Sequence, residues 1–179
     1  MNSRDDAANL HRHTLSELSA LPRDAFVAVL GGVFEHSPWV AERAWDARPF
    51  ASLDALHRAM CEAVDQADPS LQHKLIAAHP ELAGKAAIRG ELTTESTREQ
   101  SGAGLDQCTP DEYAQLQALN RTYRDTFGFP FILAVRGYDR AGIIEQMRRR
   151  ISNDRDTETR ESLAQIHRIA RFRLEDLIA

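Results

Sequence analysis

Cysteine is almost absent from this chain. Cys61 and Cys108 are the only two, too far apart for a disulfide framework or a zinc knuckle, so reduced thiols are expected. No stretch approaches the roughly 20 apolar residues that span a bilayer, and the opening Met-Asn-Ser-Arg-Asp-Asp is charged where a secretory signal is apolar. The final Leu-Ile-Ala is not a Ser-Lys-Leu type of peroxisomal address. Together these absences lead to the expectation of a cytoplasmic protein. Glycine and proline are sparse, at 9 and 7 of 179 residues, which excludes fibrous and low-complexity classes. There is no basic excess either: 22 Lys and Arg stand against 27 Asp and Glu, a net charge of −5, so no nucleic-acid or membrane partner is expected and any anion recognition must be local. A glycine-rich phosphate loop, a dinucleotide fingerprint and a Gly-x-Ser-x-Gly elbow are all missing.

What is present is an ordinary globular composition, 42% hydrophobic and 27% charged, in a length suited to one core. Apolar residues recur with the helical period, and strand alternation is not sustained, which predicts a single-domain all-α bundle of about eight to nine helices. Residues 1–13 are polar and expected to be flexible, and residues 14–179 form the helical domain. Leu53, Leu56, Met60 and Val64 make one stripe behind a Ser52 cap. Ser70 is expected to open a short helix that stops at His79, because Pro80 pushes its predecessor out of the α region. Thr109-Pro110-Asp111-Glu112 is a capping box with proline at the first helical position, and Gly128 is the matching stop. The apolar run Phe129–Val135 reads as an extended entry to the next helix, and a long helix from about Thr157 to Ile178 closes the chain.

Three places could carry chemistry. His79 stands at a helix C-terminus, where partial negative charge favours an imidazolium and suits a proton donor; a simple helix-end interaction is the alternative. Ser96, Glu99 and Gln100, spaced i, i+3 and i+4, would share one face of a helix and could read a small polar substrate, or simply face solvent. Arg173 falls inside the apolar stripe Leu163, Ile166, Ile169, Ala170, Leu174 and Leu177, where a guanidinium needs an anionic partner or must snorkel out; Arg171 lies on the border of that stripe. The remaining histidines (11, 13, 36, 57, 73 and 167) lack metal-ligand spacing, so no metal site is expected. Arg148-Arg149-Arg150 ends a helix, complements its dipole and reads as a solvated face.

Three blocks in order, His-Pro-Glu-Leu-Ala-Gly-Lys-Ala (79–86), Leu-Thr-x-x-Ser-x-x-Glu-Gln-x-x-Ala-Gly-Leu (92–105) and Phe-Gly-Phe-Pro-Phe-Ile (127–132), precede an Arg-x-Arg-Leu-x-Asp-Leu ending at 171–177. The combination resembles the 2-oxo-4-hydroxy-4-carboxy-5-ureidoimidazoline (OHCU) decarboxylases of urate degradation, from about residue 15 to the C-terminus. The resemblance implies a cofactor-free, metal-free homodimer that converts OHCU to (S)-allantoin. It implies His79 and Glu99 as catalytic residues. For the substrate lining it implies Pro80, Ser96, Thr97, Arg98, Glu99, Gln100, the backbone of Phe131, Ile132, Leu133, Ala134 and Val135, and Arg173. A catalytically silent ureide-binding protein and a helical interaction module are the alternatives.

Overall fold

The computed structural model describes residues 12–179. Among these, ten α-helices follow in the order α1 (Leu15–Ala20), α2 (Arg23–Leu30), α3 (Trp39–Ala44), α4 (Leu53–Asp65), α5 (Pro69–Ala77), α6 (Lys85–Ile88), α7 (Thr94–Gly102), α8 (Pro110–Phe127), α9 (Arg140–Arg150) and α10 (Arg155–Leu177), with short 3-10 turns after α3 and α7. The only β feature among them is an isolated parallel bridge between His13 and Ile178. The all-α expectation holds. The polar N-terminal stretch falls on residues 1–11, outside the described residues, and on Arg12 and His13; Arg12 donates to the Glu175 carbonyl and His13 N–H to that of Leu177. No helix among the described residues is long and apolar enough to cross a membrane.

Local chemistry sets the helix ends. Thr109 and Glu112 satisfy each other's backbone N–H groups at the start of α8, and Gly128 closes it at a φ of 79° that a side chain would resist. Thr93 caps α7 by accepting from Ser96 N–H. Two starts differ from expectation. Asp68 precedes α5 with Pro69 as its first residue, so the fixed proline φ begins that helix ahead of Ser70; Asp154 caps α10, which begins at Arg155.

The core is one continuous cluster. Leu56, Met60 and Val64 on α4 are fully buried, as period 3.6 requires, and α4 packs against α3 and α10. Tyr123, Phe127, Phe129 and Phe131 form an aromatic group with neighbouring ring centroids 4.7 to 6.0 Å apart. This group anchors the chain as it leaves α8, and residues 129–135 then run without helix or strand pairing toward α9. Three segments thereby meet at one place: the loop after α5, the inner face of α7 and the 129–135 run, with α10 behind them.

Candidate active site

His79 lies just past α5, after the capping residue Ala78, and is 8% exposed. Its Nδ1 lies 3.0 Å from the Leu75 carbonyl oxygen, an acceptor only, so Nδ1 carries the proton and Nε2 keeps its lone pair. Burial pushes its pKa down to about 4, against the raising effects of the Leu75 bond and of Glu35 nearby. The imidazole is therefore neutral at pH 7. This corrects the expectation that the helix end would favour the charged form: desolvation outweighs the helix-end charge.

The loop beyond His79 is tied down from two helices. Ala83 takes a φ of 49°, unusual for a residue with a side chain, and its N–H donates to Gln100 Oε1 at 2.9 Å. Gln100 Nε2 donates to the Glu81 carbonyl. From α8, Gln117 donates to the Ala83 carbonyl and Asn120 to that of Leu82. The amide of Gln100 is thus occupied in shaping the 81–83 loop.

Arg173 on α10 is 4% exposed and does not snorkel. Its Nε and Nη2 grip Glu99 in a fork at 2.7 and 3.0 Å, while Nη1 donates to Glu35 Oε2 at 2.8 Å and also lies 3.3 Å from the Gly32 carbonyl. Ser96 Oγ accepts from Nη2 and donates to Glu35. Glu35 also accepts from the Thr93 hydroxyl. Burial alone would raise the Glu35 pKa, but the charge and hydrogen bond of Arg173 hold it below the usual carboxylate value. Burial likewise opposes the charge on Arg173, and the bonds to Glu99 and Glu35 overcome it, keeping the guanidinium pKa above its ordinary value. Arg171, the alternative arginine, pairs with Asp54 and Glu175 and lines none of the pockets described here.

One small pocket brings these groups together. Its lining includes His79, Pro80, Ser96, Glu99, Gln100, Phe131, Ile132, Leu133, Val135 and Arg173, all of them expected, together with Leu82 and Ile169, which were not. A cavity of about 370 Å³ shares Glu99 and Arg173 with it and adds Arg98 and Arg136. Three expected residues lie off the small pocket: Arg98 lines that neighbouring cavity, exposed Thr97 borders another groove, and Ala134 turns its N–H to Gln165. Glu35 was not anticipated, because Phe34-Glu35-His36 sits in a loop with no periodic context; the signal available was the demand of a buried Arg173 for carboxylate partners. No bond joins Glu99 to His79, whose ring is oriented by Leu75.

The arrangement offers a neutral imidazole, an anchored carboxylate and an apolar wall around one small pocket. Comparison with known proteins points the same way. Residues 19–175 match the family described as OHCU decarboxylase. The 2-oxo-4-hydroxy-4-carboxy-5-ureidoimidazoline decarboxylase of Haloferax volcanii is 42% identical over 93% of this chain and 97% of its own length. That of Mus musculus is 40% identical over 86% of both. Among solved structures, an (S)-allantoin synthase superposes with a TM-score of 0.76 at 29% identity, covering 93% of this chain and 54% of that longer one.

Proposed function

The chain belongs to the OHCU decarboxylase family, and from that premise we propose that it decarboxylates OHCU to (S)-allantoin in urate breakdown. The observation that carries this is the convergence of His79, Glu99 and the residues Phe131, Ile132, Leu133 and Val135, remote in sequence, on a single pocket.

The substrate carries hydroxyl and carboxylate on one ring carbon, next to a carbon bearing the ureido group and an imine. When the carboxylate leaves as CO2, its bonding electrons pass toward the imine, so the substrate is its own electron sink and the reaction needs no cofactor. Two proton movements remain. Neutral His79, held through Nδ1, takes the hydroxyl proton at Nε2 and returns one to the ureido-bearing carbon, while the imine nitrogen takes its proton from solvent. Delivery from one wall of the pocket makes a single enantiomer.

Glu99 accepts hydrogen bonds from the ureido N–H groups with the lone pairs that Arg173 leaves free. Arg173 has committed its donors to Glu99, Glu35, Ser96 and backbone, so its part is to fix Glu99 and supply positive charge, and substrate oxygen reaches it only by displacing one of those bonds. Leu82, Leu133 and Ile169 give the departing CO2 an apolar surface. The family resemblance further supports a homodimer working in the cytoplasm.

The test is to generate OHCU in situ from urate with the two upstream enzymes, then follow its absorbance decay and the optical activity of the product. Accelerated decay with one allantoin enantiomer is expected. Binding of allantoin without turnover would show a silent relative.

A further inference from the structure

We propose that Arg150 and Gln165 are positioning residues for the Phe131–Val135 backbone, holding one side of it from within the core so that the groups of Leu133 remain for the ligand. The ligand part of this rests on the decarboxylase reading.

Arg150 was expected on a solvated face with Arg148 and Arg149, and the structure corrects this. It lies seven residues after Ile143 on the stripe shared with Met147 and is 1% exposed, whereas Arg148 and Arg149 are exposed. Its Nε donates to Glu158 Oε1 at 2.7 Å, its Nη1 donates to the Ile132 carbonyl at 2.6 Å, and its guanidinium carbon lies 4.4 Å from the centroid of the Phe131 ring. Glu158, fully buried, also accepts from the Tyr123 hydroxyl and from Asn153. Two residues along, Ala134 N–H donates to Gln165 Oε1 at 3.0 Å, and Gln165 Nε2 donates to Glu161.

A segment without helix or ladder must find other partners for its backbone. Here side chains of α9 and α10 supply them for the Ile132 carbonyl and the Ala134 N–H, and Tyr138 N–H donates to the Val135 carbonyl. Among the described residues the N–H and C=O of Leu133, like those of Phe131, have no partner, yet Leu133 is 4% exposed and lines the pocket with His79. A buried amide left open beside a catalytic pocket fits a planar ureide, which offers both a donor and an acceptor. A buried ion pair such as Arg150 with Glu158 is a poor source of stability, since apolar replacement is often neutral. Its bond to Ile132 gives it a positional task.

The experiment compares wild type, Arg150→Lys, Gln165→Met and the exchange pair Glu161→Gln/Gln165→Glu. Lysine keeps the charge beside Glu158 but lacks the fork that also reaches Ile132. Methionine removes the acceptor for Ala134 together with the donor to Glu161, leaves Arg150 in place, and keeps the test decisive if the lysine variant misfolds. Both are expected to raise the KM for OHCU by on the order of tenfold, to lower the enantiomeric purity of allantoin, and to speed amide exchange at residues 131–135 specifically. The exchange pair restores the acceptor and recovers most of the loss. A lower kcat with unchanged KM, enantiomeric purity and local exchange would show a purely structural role and overturn the proposal. Should wild type leave OHCU untouched, the decarboxylase reading fails, while amide exchange still decides whether these side chains hold the segment.

Discussion

A histidine whose pKa is pushed down by burial shapes both stability and rate. His79 is neutral in the folded protein to about pH 4, whereas in the unfolded chain it takes up a proton near its ordinary value of about 6.5. As pH falls below about 6.5 the unfolded state binds a proton that the native state refuses, so stability is lost progressively down to about pH 4. Urea unfolding of wild type against His79→Gln should show the wild type losing about 2 kcal/mol relative to the variant between about pH 7.5 and 5. The same neutrality predicts a kcat/KM with no inflection from the free enzyme's His79 between about pH 5.5 and 7.5; an inflection near pH 6.5 that His79→Gln abolishes would refute it. For Glu99, replacement by glutamine keeps the shape of the site but removes the charge that grips Arg173 and that, in the proposed function, receives the ureido group. Turnover should fall by about 10² to 10⁴, read from the OHCU decay with folding checked by thermal unfolding; unchanged kinetics would remove Glu99 from the chemistry.

At the scale of elements, much of the site was legible because helical register is a local property. Ser96, Glu99 and Gln100 lie on α7 as their spacing predicts, and Arg173 sits in the buried stripe of α10. Arg150 obeys the same rule, but the neighbouring Arg148 and Arg149 disguised it as part of a charged helix end. Glu35, Leu82 and Ile169 were invisible as site residues for another reason: their roles come from long-range contacts, and neither a loop carboxylate nor a core leucine or isoleucine announces which cavity it will border. The tautomer and neutrality of His79 depended on burial in the same way. The α8 capping box offers a test at this scale. Thr109→Ala should cost about 1 kcal/mol of stability in denaturant unfolding while kcat/KM stays unchanged, because α8 reaches the site through Gln117 and Asn120, two or more turns from the cap.

For the molecule as a whole, charge poses the sharpest question, because a protein of net charge −5 is to receive an anionic substrate. The cavity neighbouring the site offers no net cationic funnel: Arg98, Arg136 and Arg173 are matched by Glu95, Glu99 and Asp176 along its lining, and Glu35 lies beneath Arg173. With His79 neutral, the local sum is about one negative charge, so capture depends on hydrogen bonding and shape rather than on attraction from a distance. Screening then acts against repulsion. Raising ionic strength from about 0.01 to 0.3 M shortens the Debye length from about 30 Å to below 10 Å, and kcat/KM for OHCU should stay level or rise modestly. A steep fall with salt would mean that a cation steers the substrate. Arg98 would then be the first to replace, since it is exposed on the cavity lining and no carboxylate among the described residues pairs with it.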